Sequence, residues 1–571
     1  MKKFVTVALS VCMTAATAFS CVSCGKNPAG GTNIDETKTQ LYIRNYQGGF
    51  GNEWLYNGID KFQDLYKDVE LESGKKGLQI ILTEKKETPD PTNIKNDIYE
   101  VYFVEKLNYL DLVKGGYIAD MTEVVTGDNK YETGKTIVGK MSQDDQAFYG
   151  VKDTQQNVHY YALPHYFASQ GIVYDVDLFN AKKYYFIDGY EKETDLANKF
   201  VQFKEDVKSA GPDGVKGTAD DGLPATYEDF WTLCRYISAS GDMPFNWGTK
   251  SEDFYITALM IQLMADYQGK EEYMRNFTMD GVISEAVLIA NGDVVISNGA
   301  PVLESLTLDS SSSNGYEQYR SAALYYALDF INTLMDNRTT FGNKDNLESQ
   351  SYSAFDAQDD YLLSRHKLAS GERRYAMLID GTWWNNEASQ TFEDYALVYG
   401  DAAKNENCNY GWLPLPKATS AKVEQKIKST MVNTIDSLCF VKAGLSDWKE
   451  DLAFDFVRFM HTDEAFNDFT ATTNAFKAFN YEVKDEVVEG LSPFGKDVYA
   501  QWSTYDLITP HNNNEQYVST TYKISSTRRF SISADSTEVF ATKVFSNQKE
   551  LTTGQYLVKA YNYAKSVVWG K

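Results

Sequence analysis

The sequence of 571 residues predicts an α/β layered fold, and three observations lead to this prediction. Apolar runs of strand length occur along the whole chain, for example at Leu78–Leu82 and Ala376–Ile379. Longer stretches repeat apolar residues at the spacing of one helix face. Glycine-rich turns separate the two kinds of segment. Alternation of strands, helices and turns is typical of domains in which helices cover a sheet.

The first predicted element is a strand at Leu41–Ile43, and the glycine-rich turn Gly48–Gly51 follows it. Apolar residues then recur at the period of a helix that faces a core, at Leu55, Ile59, Phe62 and Tyr66. Two more strands are predicted at Leu78–Leu82 and Ile98–Val104. This order of elements is that of an α/β layer.

The rest of the chain continues the same pattern. Helices are predicted at Phe254–Ala265, Ala323–Met335 and Leu452–Met460. Short buried strands are predicted at Tyr160–Leu163, Ile172–Tyr174, Ala376–Ile379 and Leu438–Val441. Polar segments rich in Gly, Ser and Asp at 209–224 and 309–315 predict loops.

The N-terminus has the features of an export signal. Lys2 and Lys3 precede an apolar run, Phe4–Phe19, that is shorter than the roughly 20 residues of a membrane span. Cysteines follow small residues as in a bacterial lipobox, which predicts a signal peptide at 1–23 and a lipid on Cys24. Cys21 is the alternative, and an ordinary secreted protein also stays open. Residues 24–39 are polar and glycine-rich, which predicts a flexible tether.

Composition and motifs exclude several function classes. The net charge of −25 opposes binding to nucleic acid and to anionic lipid. Cys234, Cys408 and Cys439 form an odd, sparse set, which argues against a disulfide framework. The sequence has no Walker, GxGxxG, HExxH or GxSxG motif that would hold a nucleotide, a zinc ion or a nucleophile. An acid pair for glycoside hydrolysis stays open among the 80 Asp and Glu residues.

Seven segments, in the same order along the chain, resemble extracellular solute-binding proteins of the maltodextrin-binding type: 41–66, 97–122, 162–179, 375–388, 411–417, 434–441 and 451–469. This resemblance implies a two-lobed α/β fold of the class II periplasmic-binding-protein type, with a hinge between the lobes and ligand in the cleft. It places lobe one at 40–168 and 438–500, and lobe two at 169–437 and 501–571.

The resemblance implies a receptor and not an enzyme. Such a receptor captures an oligosaccharide on the extracellular face of a bacterial membrane and delivers it to the permease subunits of an ABC importer. We expect a lipid-anchored monomer that binds no nucleic acid. Two other functions stay open: a peptide-binding receptor of an importer, and a cell-surface glycoside hydrolase.

The aromatic loop after the strand at 376–379 carries the strongest ligand-binding candidates. Trp383 stands where the family stacks an aromatic residue on the sugar, two residues after Gly381. A sugar ring has an apolar face and a rim of hydroxyls, so an indole and a carboxylate such as Asp380 suit it. Trp384 is a further candidate, although both tryptophans could simply pack between the lobes.

Other candidates come from segments that the resemblance brings to the cleft. The first turn offers Tyr46, Phe50 and Glu53, although a plain strand-to-helix turn is the alternative. The first crossing between the lobes offers His165, Tyr166 and Gln170; the family often has Tyr where His165 stands. Asp436 at the second crossing and Trp247 complete the set.

A calcium site is predicted in the loop Gly211–Gly222. Asp213, Asp220 and Asp221 lie close together between glycines, and oxygen ligands on a folded loop suit Ca²⁺. The spacing is not that of an EF-hand, and a solvated acidic loop is the alternative. No cofactor is required by this prediction, since a calcium ion here would be structural.

Overall fold

The computed structural model describes residues 34–190, 195–201, 207–366, 373–510, 540–548 and 551–570. The predicted signal peptide, the lipidation candidates Cys21 and Cys24, and tether residues 24–33 lie outside this part of the chain. Within the described ranges, no helix is both long enough and apolar enough to cross a membrane. Cys234, Cys408 and Cys439 are free thiols in the interior.

The strands that build the two main sheets and the crossings between them are, in chain order, β1 (Thr39–Tyr46), β2 (Leu78–Lys85), β3 (Val101–Glu105), β4 (Leu163–Pro164), β5 (Tyr166–Phe167), β6 (Gln170–Asp175), β7 (Met243–Asn246), β8 (Tyr375–Gly381), β9 (Tyr410–Trp412), β10 (Thr430–Val432), β11 (Ser437–Val441), β12 (Phe476–Lys477) and β13 (Asp506–Ile508). The helices that pack on these sheets or line the space between them are α1 (Glu53–Leu65), α2 (Tyr227–Ala239), α3 (Glu252–Thr278), α4 (Ala322–Phe341), α5 (Ala354–His366), α6 (Trp384–Glu387), α7 (Ser389–Tyr399), α8 (Asp447–Met460), α9 (Asp463–Thr473), α10 (Pro493–Thr504) and α11 (Thr553–Tyr563).

The sheet of lobe one has the strand order β2-β1-β3-β11-β4 among the described residues. β1 pairs in parallel with β2 and β3, whereas β11 runs antiparallel to β3 and β4. All five residues of β3 are buried, as expected for a central strand that helices cover on both faces. Because β1 and β3 are parallel, their carboxyl ends meet at one edge of the sheet.

The sheet of lobe two has the order β7-β8-β6-β9. β6 runs antiparallel to β8 and β9, and its first residue, Gln170, lies opposite Gly381 at the end of β8. Helices α2, α3 and α4 share one hydrophobic cluster with this sheet, and α5, α7 and α10 share another. The N-terminal half of α3 is buried nearly all round because most of its side chains pack in the core of lobe two, whereas Tyr255 packs with the cluster of lobe one.

The chain passes between the lobes at short strands. It leaves the first sheet after Pro164 and enters the second at Gln170, and it returns between Val432 and Ser437. The strand β12 then pairs with β5, while α10 packs on β9 of lobe two. We therefore propose lobe limits close to the predicted 168 and 438, and a final return to lobe two before residue 493 instead of at 501.

Most predicted elements are confirmed, including the strands in β1, β2, β6, β8 and β11 and the helix in α1, which lie within a few residues of their predicted limits. The other predicted helices are confirmed but are longer than predicted: α3 continues from residue 265 to Thr278, α4 continues from 335 to Phe341, and α8 begins at Asp447 instead of 452. Two strands differ. The strand predicted at 98–104 begins only at Val101, since Ile98 is 60% exposed. The strand predicted at 160–163 is divided between a hairpin strand, Val158–Tyr160, and β4.

Candidate functional site

The two lobes meet where the turn after β1 contacts the loop after β8. The side-chain amide of Asn386 donates a hydrogen bond to the carbonyl oxygen of Gly49 at 2.8 Å. A Cβ atom on Gly49 would lie only 2.7 Å from Cδ1 of Trp383, so no larger residue fits there without movement. The structure thus brings together the predicted glycine turn and the predicted aromatic loop.

Trp383 is the central aromatic residue of this contact. It begins α6, and its indole folds back over Gly381, where a Cβ atom would come within 2.3 Å of the ring. The side chain is 8% exposed and packs with the hydrophobic cluster of lobe one, although its backbone belongs to lobe two. Tyr255 of α3 packs beside it, with ring centroids 6.5 Å apart.

Lobe one contributes a buried carboxyl group to the same contact. Glu105 ends β3 and accepts a hydrogen bond from the hydroxyl of Tyr166. A Cβ atom on Gly48 would lie 2.8 Å from Oε1 of Glu105, so the glycine allows the turn to approach the acid. Burial raises the pKa of Glu105, and the negative charge of Glu387 raises it further.

Lobe two contributes two more carboxyl groups, Asp380 and Glu387. The side-chain nitrogen of Gln358 bridges them, with Oδ2 of Asp380 at 3.0 Å and Oε2 of Glu387 at 2.9 Å. Burial, followed by repulsion from Glu387, raises the pKa of Asp380 to about 8. Burial also raises the pKa of Glu387. Within the described residues, none of the three acids forms an ion pair.

Two lysines of lobe one lie over aromatic rings at the outer edge of the contact. The Nζ atom of Lys106 lies 5.7 Å from the ring centroids of both Tyr46 and Phe254. The Nζ atom of Lys86 lies 5.4 Å from the ring of Phe355. A cation over an aromatic face is attracted by about 0.5–1 kcal/mol at exposed sites. The pairs with Phe254 and Phe355 join lysines of lobe one to rings of lobe two and therefore favour closure of the lobes.

Several predicted candidates lie in or next to this contact. Tyr166 holds Glu105, and Phe50 packs edge-on against Tyr166 with centroids 4.9 Å apart. Tyr46 is half-buried below Lys106. Gln170 is buried at the first residue of β6, opposite Gly381.

Two further candidates are exposed. Glu53 starts α1 at the surface. Asp436 lies at the second crossing, where its carbonyl oxygen accepts a hydrogen bond from the N–H of Lys106 at 2.8 Å. The structure therefore places Asp436 near the edge of the lobe contact through its backbone.

The structure does not bring Trp384, Trp247 or His165 to the contact. Trp384 has no exposed surface and packs in the second core of lobe two, against Tyr410 and Phe494. Trp247 is equally buried in lobe two and donates its indole N–H to Glu252. His165 lies in the core of lobe one. All three side chains are buried in the interior of a lobe, where packing accounts for them.

The carboxylates of the loop predicted to bind calcium accept hydrogen bonds from the loop itself. Asp220 accepts one from the N–H of Asp213 at 3.1 Å and one from the hydroxyl of Thr218 at 2.5 Å. Asp221 accepts one from the N–H of Gly217 at 2.8 Å. No group of three or more His, Cys, Asp or Glu in the described ranges is arranged to hold a metal ion. Calcium binding here stays a prediction.

Sequence reasoning missed four residues of the contact: Glu105, Glu387, Gln358 and Tyr255. Glu105 could have been found, because it is a single acid that ends the apolar run VYFV. Glu387 lies four residues, about one helical turn, after Trp383, a spacing that places both side chains on the same face of α6. Gln358 and Tyr255 belong to helices that only the tertiary structure brings to this place.

Comparison with known proteins finds similarity at the level of structure alone. No protein-family model and no curated protein matches the sequence. A chitin oligosaccharide binding protein superposes with a TM-score of 0.52 at 13% identity, covering 94% of this chain and 100% of that one. The solute-binding protein RafE in complex with raffinose superposes with a TM-score of 0.50 at 12% identity, covering 92% of this chain and 98% of that one.

A third structure comes from work on xylan utilization by the bacterium Caldanaerobius polysaccharolyticus. It gives a TM-score of 0.50 at 11% identity, covering 92% of this chain and 99% of that one. The similarity extends over both lobes in each case, and it confirms the fold that the resemblance in the sequence implied. The chain therefore has the two-lobed α/β fold of the extracellular solute-binding proteins.

Proposed function

We propose that this protein is an extracellular receptor that binds an oligosaccharide between its two lobes. One observation carries the proposal: an indole, a phenol and three carboxyl groups from both lobes converge at the contact between Gly49 and Trp383. A flat aromatic face suits the C–H face of a sugar ring, and carboxyl oxygens suit its hydroxyls. The three similar structures are described with a chitin oligosaccharide, raffinose and xylan utilization, which supports a carbohydrate ligand.

Delivery to an ABC-type importer and a lipid anchor are further parts of this proposal. Both rest on the sequence, since Cys21 and Cys24 lie outside the described residues. Replacing Cys24 with Ala, alone and together with Cys21→Ala, should release the protein from the membrane fraction. The anchor proposal fails if the double variant still sediments with membranes.

Titration calorimetry against a panel of oligosaccharides of different linkage and length tests the proposal. We expect micromolar or tighter binding of at least one panel member, since ligands enclosed between lobes lose most of their hydrated surface. A panel of short peptides tests the alternative receptor function. Binding of peptides without binding of any oligosaccharide would overturn the proposal.

A glycoside hydrolase remains the second candidate, because Asp380 and Glu387 are paired acids with raised pKa values in a cleft. Incubation of the purified protein with each bound oligosaccharide, followed by product chromatography, distinguishes the two functions. We expect no product above the rate of the buffer control. Product that disappears in Glu387→Gln would make the protein an enzyme.

A further inference from the structure

No basic side chain in the described ranges forms an ion pair with the three carboxyl groups at the lobe contact, although the more distant charges of Lys106 and Lys86 partly offset the burial that raises the pKa of Glu105 and Glu387 respectively. Glu105 accepts a hydrogen bond from one hydroxyl, Asp380 and Glu387 share the side-chain nitrogen of Gln358, and Asp380 also accepts one from the backbone N–H of Gly381. Lys86 and Lys106 lie over aromatic rings and are not ion-paired with any of the three acids in the described part of the chain. Burying carboxylates without a cation is costly.

A second, independent observation points to a ligand at the same place. The amide of Gln170 is 1% exposed, and neither its oxygen nor its nitrogen has a hydrogen-bond partner within the described residues. Residues directly opposite each other on paired strands have Cβ atoms about 5 Å apart on the same face. Gln170 lies opposite Gly381, and the Trp383 ring covers that face of Gly381. The free amide is therefore a neighbour of the indole.

The aromatic residues of the contact also favour positive charge. The negative face of an indole or phenol attracts a cation within about 6 Å. Tyr255 packs beside Trp383, and its burial and then the charges of Asp380 and Glu387 raise the pKa of its hydroxyl. Aromatic rings and carboxyl groups are thus neighbours at the lobe contact, and the amide of Gln170, unpaired within the described residues, lies next to the indole.

We propose that the ligand bound between the lobes is a carbohydrate that carries a protonated amine, recognised by Glu105, Asp380 and Glu387. This inference rests on the proposed function and names its substrate class. The amine donates to the carboxylates and lies against an aromatic face, while a neighbouring hydroxyl pairs with Gln170. A neutral sugar would satisfy hydrogen bonds but would leave the acid charges unpaired.

Two matched sets of probes test this: glucosamine oligomers with free amines, and N-acetylated oligomers of the same length and linkage. We expect the free-amine oligomer to bind at least tenfold more tightly at pH 6, measured by titration calorimetry. Glu387→Gln should reduce that preference at least fivefold. Glu105→Gln removes an acid from the opposite lobe and gives an independent test if Glu387→Gln fails to fold.

Asp401→Asn is the matched control, because its carboxylate lies on the surface of lobe two, 85% exposed and outside the contact. It should leave the preference unchanged, with circular dichroism as the folding check for every variant. Equal or tighter binding of the N-acetylated oligomers would overturn this inference and leave the proposed function standing. Binding of neither probe set, nor of any other oligosaccharide, would overturn both.

Discussion

The contact between the lobes and the core of lobe one both bury charge, but with opposite sign. The contact buries Glu105, Asp380 and Glu387 without a basic partner. The core buries Lys477 next to two histidines without an acidic partner. The first set lies on surfaces that a hinge can separate, whereas the second lies inside one lobe.

Lys477 is surrounded by aromatic side chains and a histidine. Lys477 is 2% exposed, and its Nζ atom lies 2.7 Å from Nδ1 of His165 and 4.9 Å from the ring of Phe469. Burial lowers the pKa of Lys477 to about 7. Burial also lowers the pKa of His165 and brings that of His461 to about 3. These side chains are therefore kept close to neutral by the core.

The difference shows which buried ionisable groups a bound ligand can stabilise by supplying a hydrogen-bond partner or an opposite charge. Opening of the hinge returns the acids to water, and closing on a ligand gives them new partners. Lys477 instead packs among aromatic side chains of the core and does not lie on the facing surfaces of the lobe contact. The two groups also change the stability in opposite directions with pH. The raised pKa of Asp380 contributes stability that is lost as pH rises from about 4 to 8. The lowered pKa of Lys477 makes the protein more stable as pH rises above about 7.

The largest expected effect is the loss of stability in Trp384→Ala, and it tests whether the two neighbouring tryptophans have different roles. Trp384→Ala should lower the free energy of unfolding by about 3–5 kcal/mol, because it removes a fully buried indole from a packed core. Chemical denaturation followed by circular dichroism measures it. A loss below about 1 kcal/mol would mean that Trp384 is not a core residue. The proposed difference between Trp384 in the core and Trp383 at the lobe contact would then be wrong.

Lys477→Met should stabilise the protein by about 1–4 kcal/mol at pH 7, since methionine fills the same space without a charge to desolvate. The unfolded chain keeps its lysine proton up to about pH 10, so parent stability should rise between pH 7 and 9. The variant should lack that part of the rise. A variant that is less stable than the parent at both pH values would show that the lysine is charged and well paired.

Trp383→Ala should weaken oligosaccharide binding by at least roughly tenfold, since an indole face is worth on the order of 2 kcal/mol and a tenfold change is about 1.4 kcal/mol. Its effect on unfolding should be smaller than that of Trp384→Ala, because Trp383 lies at a surface that opens. Calorimetry and denaturation of both variants decide this together. Unchanged affinity in Trp383→Ala would place the sugar elsewhere.

The sequence was sufficient for most strands and for the positions of the long helices, because these follow from local periodicity; the two-lobed fold followed from the resemblance. Trp383, Asp380 and the glycine turn could be proposed together, since a strand end and a close backbone approach leave signals in the chain. Only the resemblance favoured Trp383 over Trp384, and no local pattern separated them. The two differ by one residue, and only the start of α6 after Trp383 turns one indole to the lobe contact and the other to the core.

Gln358, Tyr255 and Glu387 were beyond the sequence for another reason. Each lies on a helix whose position is set by packing between distant segments, and no local pattern marks which polar residue faces the cleft. The same holds for Lys477, which periodicity would assign to a surface. Its burial results from the pairing of β12 with β5 at the crossing.

The smallest expected effect concerns the loop with Asp213, Asp220 and Asp221. Its carboxylates already accept hydrogen bonds from the loop, so Ca²⁺ would replace existing contacts. With dissociation constants of about 0.1–1 mM, as in weak extracellular sites, 1 mM Ca²⁺ would add only about 0.4–1.4 kcal/mol to the free energy of unfolding.

A chelator should then lower the melting temperature slightly, and Asp220→Ala with Asp221→Ala should abolish that difference. The double variant will itself be less stable, because it loses loop hydrogen bonds, so the readout is the shift caused by the chelator within each protein. Identical melting curves of the parent with and without chelator would contradict calcium binding and would indicate an acidic loop that its own hydrogen bonds stabilise.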